Sequence, residues 1–421
     1  MRFLHGFSPA AEVTALFRED RPFGVWIQRA GELLPGTICA ARAVKKVGEA
    51  WFLDIGAGRS AFLPSSENGF APDGTPCRTP LSEGARRIVQ IRRSSFDGKE
   101  AKATGRISLA GTRAVYVPGG QGISFSRRFG EEARRRFSAA LSDRPGGIIV
   151  RTAAEDAGET ETVAELNELE KQWRSVLSRA EAGEGILSVP PSWAEQAAEK
   201  YRTEITEAFC DSPEARNRLK TLLPFIGFLT DGRVLRAEID AAVDEARMSS
   251  APLPSGGSLI TETTAACVCF DVNAGSGNRS DANREACAEI LRQIRLKGLS
   301  GQMIIDFAGK KEKSGLNPLL RRLKSPDMAL DVWGISNLGL VEMTLERRRP
   351  SVFESCGGGR WEAIGLVRDL WFADASGSLT AYAPAEVLEG VRPFVAQIEK
   401  RLGCAVELRP ENDIRIEGLR R

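Results

Sequence analysis

Two short apolar runs, each ending in an aspartate and joined by an amphipathic helix, constrain this 421-residue chain more than any other feature. Ala265 to Val272 reads as a buried strand carrying Asp271 near its end, with Asn273 just beyond. Gln302 to Phe307 reads as a second strand, ending in Asp306 and Phe307. Between them, from about Asp281 to Lys297, Ala282, Ala286, Ile290 and Ile294 recur at helical spacing, with Asp281 near the start. Strand, helix, strand predicts a β-α-β crossover, a unit that presents ligands at the carboxyl ends of its strands. If the strands are parallel neighbours, Asp271 and Asp306 emerge at one sheet edge, and alternation puts Asp271 and Asn273 on one face.

A hard cation such as Mg²⁺ takes oxygen ligands, often one or two carboxylates plus water and substrate phosphate. Such an ion polarises a phosphoryl group and lowers the pKa of an attacking water, which suits phosphodiester cleavage. An aspartate at a strand end also caps the following loop, and spacing alone leaves both readings open. Gly309 to Gly315 is glycine-bounded and basic but lacks the order of a P-loop, so it reads as a basic loop beside the site.

Composition removes the competing chemistries. A single histidine, His5, placed beside the chain start, does not make a convincing Ser-His-Asp triad, nor can it supply the His-rich zinc centres of hydrolases and deaminases. The eight cysteines form no C-x-x-C pair, which disfavours a zinc site within one chain. No apolar stretch approaches the ~20 residues of a membrane span, and Met1 to Gly6 soon runs into polar residues. A cytoplasmic protein with reduced thiols and no transmembrane segment is the expectation.

The net charge of +2 conceals local polarity. From Arg86 to Arg106 seven basic residues meet two acidic ones; from Glu155 to Glu184 nine acidic meet three basic; from Arg284 to Lys324 ten basic meet four acidic. A charge run is ordinarily a solvated face, yet two basic blocks also permit a polyanion to be held. From about Gly36 to Pro118, short apolar runs broken by Gly and Pro predict a small barrel of the OB type, which binds single-stranded nucleic acid. Glu161 to Ala182 reads as a charged helix with one apolar face through Leu166, Leu169, Trp173 and Val176.

At this point the ordered motifs resemble a known family. Pro252-Leu253-Pro254-Ser255-Gly256-Gly257-Ser258, Asp271-Val272-Asn273, Ile304-Ile305-Asp306-Phe307, Gly339-Leu340-Val341-Glu342-Met343-Thr344 and Arg347-Arg348-Arg349-Pro350-Ser351 look like those of the ribonuclease E/G endoribonucleases. Asp54-Ile55-Gly56-Ala57, Phe62-Leu63-Pro64, Ile107-Ser108-Leu109-Ala110-Gly111, Ser126-Arg127-Arg128 and Ile149-Val150-Arg151-Thr152 follow the same order. The resemblance spans about Gly36 to Ser351.

It implies an α+β multidomain protein, with an S1-like OB-fold barrel inserted in an RNase H-like region and followed by a DNase I-like α/β catalytic region. The corresponding segments are 1–35 and 211–260 for the RNase H-like region, 36–118 for the barrel and 119–210 for a 5′-sensor region with a long helix. Residues 261–355 would be catalytic, and 356–421 a divergent C-terminal segment. By the resemblance, Asp271 and Asp306 bind Mg²⁺ and Asn273 assists them; Phe52, Phe62 and Lys99 hold RNA; and Gly111, Val115, Arg151 and Thr152 sense a 5′ phosphate. Aromatics beside basic residues also suit sequence-tolerant binding of single strands, while Phe52 as barrel core remains the competing reading.

Three departures accompany the matches. Ala329 stands where many members carry an Arg used in 5′-end sensing, and Ala265 where members carry a Glu. Only Cys356 remains of a zinc-sharing cysteine pair, so zinc is not expected and any homo-oligomer would lack a zinc link. The implied activity is Mg²⁺-dependent endonucleolytic processing and decay of single-stranded RNA, A/U-rich and preferably 5′-monophosphorylated. The alternative is a non-catalytic RNA-binding paralogue.

Overall fold

The computed structural model describes residues 1–77, 79–95, 100–126, 129–183, 185–309, 313–325 and 327–419. The chain divides into two units, one formed by Leu33–Pro190 and the other by Met1–Glu32 together with Pro191–Arg421.

In the first unit, strands Ile38–Val47, Ala50–Gly56, Arg59–Pro64, Ala101–Thr104 and Arg86–Arg93 pair in that spatial order, and the last pairs back onto the first. The result is a closed five-strand barrel, consistent with the expected OB type. Alternation, interrupted by bulges, builds it: Trp51, Leu53, Ala61, Leu63, Val89 and Ile91 turn inward and are buried, while Phe52 and Phe62 lie on the outer wall. The all-β stretch then divides. Leu109–Ala110 and Ala114–Val117 leave the barrel to join Gly147–Val150 and Gly122–Phe125 in a separate four-stranded sheet. The long helix, observed as Glu159–Ala182, packs Leu166, Leu169, Trp173 and Val176 against Phe70, Ile88, Ile107 and Phe137. Its predicted apolar face is the buried one.

In the second unit, strands Arg2–Phe7, Ala11–Arg18 and Arg21–Arg29 form an antiparallel meander, extended by Glu207–Cys210 and Gly227–Phe228 running parallel to Arg2–Phe7. The Arg18/Arg21 hairpin closes through Glu19 and Asp20, both at positive φ, the backbone of a two-residue turn that matches strand twist.

His5 sits in this meander and is fully buried, with Nδ1 2.9 Å from the Thr14 hydroxyl. Burial outweighs the nearby Glu12 carboxylate and lowers its pKa to about 4. Because the unfolded chain binds this proton near pH 6.5, stability is complete above that pH and falls as pH drops towards 4. The span corresponds to about 3 kcal/mol. Urea midpoints measured from pH 7 to 4 should therefore fall for the wild type and flatten in His5→Asn.

A six-stranded sheet follows, in the order Ser250–Pro252, Ser258–Thr263, Val268–Asn273, Gly301–Asp306, Val341–Leu345, Leu330–Ile335. Its one parallel pair is Val268–Asn273 with Gly301–Asp306, and helix Arg279–Lys297 is the crossover between them. The Asn278 side chain caps the start of the helix by accepting from the Ser280 N–H, and Gly298 ends it in the left-handed region. Ala282, Ala286, Ile290 and Ile294 face the sheet as their spacing required. The first strand is shorter than the sequence suggested: Ala265 lies in an exposed turn held by the Thr264 hydroxyl, which accepts from the Ala266 and Cys267 N–H groups.

Residues 360–419 carry a three-stranded sheet, with Ala375–Ala383 between Val406–Pro410 and Arg415–Leu419, and helices Arg360–Trp371, Ala385–Val391 and Val395–Leu402. Leu366, Val367, Leu370 and Leu388 enter one core with Leu4, Val25, Leu235 and Ile239, so this segment is integral to the unit. Among the described residues, no helix is long and apolar enough to cross a membrane.

Candidate functional site

Asp271 and Asp306 are paired partners in the parallel register. Partners on neighbouring strands stand about 4.8 Å apart and project to the same face. Phe270, Val272 and Ile305 point to the core, so both carboxylates point to the face opposite the crossover helix. Asp271 is exposed and Asp306 half-buried. Asn273, two residues on and on the same face, donates from Nδ2 to Asp271 Oδ2 at 2.9 Å, which fixes the orientation of that carboxylate.

Two features hold this edge in place. Asn283 on the crossover helix clamps the turn after Asp306: its Nδ2 donates to the Ala308 carbonyl at 3.0 Å, and its Oδ1 accepts from the Ala308 N–H at 2.9 Å. Sequence reasoning missed Asn283, because nothing in the helical stripe marks a polar residue that reaches back to a later loop. The glycine motif supplies the second feature. A Cβ at Gly257 would come within 2.3 Å of the Asn273 carbonyl, and one at Gly275 within 2.9 Å of the Gly256 carbonyl. The glycines therefore let two turns pack backbone to backbone beside Asn273. Glu285 secures the first turn by accepting from the Ser255 N–H at 2.9 Å.

Two carboxylates and a carboxamide offer only oxygen and amide groups, a set that fits a hard divalent cation completed by water and phosphate. Among the described residues there is no cluster of three or more His, Cys, Asp or Glu side chains suited to a metal. Cys356 is buried in the core of the second unit, and burial pushes its thiol up to about 12. In this fold it is a packing residue. The Arg-rich motif is largely structural too. Arg349 donates to the Val25 carbonyl at 2.7 Å and its guanidinium lies 5.1 Å from the centre of the Trp26 ring, while Ser351 and Glu354 form a capping box for helix Val352–Cys356.

On the barrel, Phe52 and Phe62 are directly paired across two strands and meet edge to face, with ring centroids 6.0 Å apart. The register extends the row on both sides: Lys45 pairs with Phe52, Lys102 with Phe62, and Arg93 with Lys102. Two outward aromatics are thus flanked by three basic residues in one line across the wall. Arg93 and Lys102 belong to the basic run seen in the sequence and Lys45 does not, and only the register places all three beside the rings. Lys99 lies outside the described residues, as do Arg127, Arg128 and the Lys310-Lys311-Glu312 part of the basic loop.

The remaining predicted residues gather in the four-stranded sheet. The Arg151 N–H donates to the Arg113 carbonyl at 2.7 Å, and the hydroxyls of Thr152 and Ser126 are 2.9 Å apart. Glu165 holds the turn after Gly111 by accepting from the Thr112 and Arg113 N–H groups, and a Cβ on Gly111 would collide with that carboxylate. Arg151 and Thr152 are exposed, whereas Val115 is buried against its neighbours.

Known proteins resemble this chain over most of its length. The chain is 31% identical over 318 residues to ribonuclease E of Synechocystis, covering 68% of this chain and 47% of that protein. Against the Escherichia coli proteins it is 28% identical to ribonuclease E over 76% of this chain and 34% of the relative, and 29% identical to ribonuclease G over 72% and 70%. The chain spans about half the length of the cyanobacterial relatives it matches. The Ribonuclease E/G family profile matches residues 108–348, from the start of the four-stranded sheet through both aspartates to the Arg-rich motif. On that match and on the co-linear motifs, the chain belongs to the ribonuclease E/G family.

Proposed function

We propose that this protein is a Mg²⁺-dependent endoribonuclease that cuts single-stranded RNA during RNA processing and decay. The observation that carries the reading is the in-register pair Asp271 and Asp306 on one face of a sheet edge, with Asn273 bonded to Asp271. Asp271 and Asp306 would hold the ion, which supplies charge stabilisation at the scissile phosphate and a more acidic bound water. Water adds to phosphorus and the 3′ oxygen leaves, giving a 3′-hydroxyl and a new 5′-phosphate. Asn273 keeps the Asp271 carboxylate oriented, and Asn283 keeps the Asp306 turn in place. The mixed five-stranded sheet built on Arg2–Phe7 and the sheet bearing the aspartates support assignment to the RNase H-like and DNase I-like regions of the family.

The row Lys45, Phe52, Phe62, Lys102 and Arg93 is read as the grip on RNA. Rings offer stacking to any base and the cations neutralise phosphates, so binding should be sequence-tolerant and weaken with salt. The test is incubation of the purified protein with a 5′-monophosphorylated A/U-rich oligonucleotide in Mg²⁺ or EDTA. Internal cuts only with Mg²⁺ support the proposal; tight binding without cuts in either condition would make the protein a non-catalytic RNA-binding relative.

We assign 5′-phosphate capture to Arg151 and the Thr152 hydroxyl, a cation and a donor suited to a terminal phosphate. Arg151→Ala should erase any preference for 5′-monophosphate over 5′-hydroxyl ends, measured as the ratio of cleavage rates, while leaving cleavage of 5′-hydroxyl RNA unchanged. A wild type already without preference is the result expected if Ala329 has removed an essential partner. Light scattering with and without a zinc chelator reads the assembly, and the chelator should change nothing.

A further inference from the structure

The face of the six-stranded sheet that carries Asp271 and Asp306 also carries an exposed tryptophan. Trp333 lies in the edge strand Leu330–Ile335 and is 71% exposed. The register shifts between Val332 and Gly334, so Trp333 is the bulged residue there. Its indole Nε1 donates to Thr344 Oγ1 at 2.9 Å. Thr344 alternates with the buried Met343, so this bond draws the indole over the face opposite the core, the face of the two aspartates. The bond also satisfies the one polar atom of the side chain and limits its rotation, leaving an apolar ring held in place and open to solvent.

The same hairpin brings a second apolar group to the aspartate edge. Val341 pairs with Ile305, so the turn that precedes Val341 stands beside Asp306. Ser336 closes that turn: its N–H donates to the Leu340 carbonyl and its Oγ accepts from the Leu340 N–H. Leu338, at the tip, is 77% exposed. From the strand spacing and rise, Trp333 stands about 13 Å from Asp306 along the sheet. That is within reach of a nearby nucleotide of a strand whose phosphate lies at the aspartates.

We infer that Trp333 is a stacking platform for a base of the RNA strand near the scissile phosphate. The inference rests on the reading of Asp271 and Asp306 as the RNA-cleaving pair. The charge of the face identifies which part of a nucleotide it takes. Asp331, Glu342 and Glu262 are exposed there and repel phosphates, whereas a base presents a neutral π-face. An aromatic ring held by a hydrogen bond pays little ordering entropy on stacking, which makes it a positional grip on one nucleotide of the substrate, whatever its base.

The test couples Trp333→Ala to single abasic substitutions scanned along a single-stranded oligonucleotide on both sides of the cleavage site. At one position, removing the base should lower wild-type kcat/KM by about 5- to 150-fold, and Trp333→Ala should lower it similarly on the intact substrate. The two changes together should cost no more than either alone, and Trp333→Phe should restore most of the loss. Additive losses at every position overturn the inference while leaving the nuclease reading intact. A change of oligomeric state in Trp333→Ala, read by light scattering, also overturns it and makes the indole a subunit contact. If the wild type does not cleave, fluorescence quenching by the same oligonucleotide decides. Quenching that is larger in wild type than in Trp333→Phe retains the platform and rejects the nuclease; equal quenching rejects the platform.

Discussion

Asp306→Asn is expected to abolish RNA cleavage, by about 10³-fold or more, with single-strand binding unchanged. The substitution keeps the size of the side chain but removes one of two negative charges at the sheet edge. A cation that contributes several kcal/mol of transition-state stabilisation would no longer be held in place. Asp271→Asn should act alike. Asn273→Ala should be milder, about 10- to 100-fold, because Asn273 donates to the Asp271 carboxylate and on the proposed reading would orient it without itself holding the ion. The ordering distinguishes a metal centre from a capped loop: raising Mg²⁺ should recover part of the Asn273→Ala loss and none of the Asp306→Asn loss. Equal activity of wild type and Asp306→Asn would end the proposal. The readouts are internal cleavage of a labelled oligonucleotide and filter binding of the same molecule.

Removal of residues 360–421 is expected to leave a second unit that does not fold cooperatively, although the truncation spares both aspartates and lies outside the barrel unit. Leu366, Val367, Leu370, Leu379, Leu388, Val391 and Ile398 are all at most 2% exposed and share a core with the N-terminal meander. At about 1.5–3 kcal/mol for each large aliphatic side chain, their burial amounts to about 10–20 kcal/mol, at least comparable to the net stability of an ordinary domain. The deletion also exposes Leu4, Val25, Leu235 and Ile239 to water. A milder form of the same test is Leu370→Ala, expected to cost about 2–5 kcal/mol, read as a drop in urea midpoint. A soluble truncated protein with an unchanged cooperative melt would show that the segment is dispensable.

The local structure of the chain is legible in its sequence. The crossover helix begins and ends within two residues of its expected bounds, because its apolar stripe and its flanking polar and glycine residues are contiguous in sequence. The long helix is equally plain. The barrel was recognisable as a class, but its end was not. Leu109–Ala110 and Ala114–Val117 look like barrel strands by composition, and only their partners, Gly147–Val150 among them, assign them to another sheet. Residues 356–421 read only as a divergent segment, because sequence does not show that its apolar side chains share a core with Leu235 and Ile239 and with Leu4 and Val25 at the far end of the chain.

For the site, residue types and order determined the chemistry on offer: oxygen ligands at strand ends, one histidine that turns out to be buried, aromatics near cations, and a family whose motifs run in the same order. Register decided the rest. Whether Asp271 faces Asp306, whether Lys45 and Lys102 flank Phe52 and Phe62, and whether Trp333 shares a face with the aspartates all depend on which residues pair across strands. A shift of one residue would turn each of these side chains to the opposite face. Alternation is a local property that a sequence carries in itself. Pairing is set by the burial of whole faces against distant segments, and only the tertiary structure expresses it.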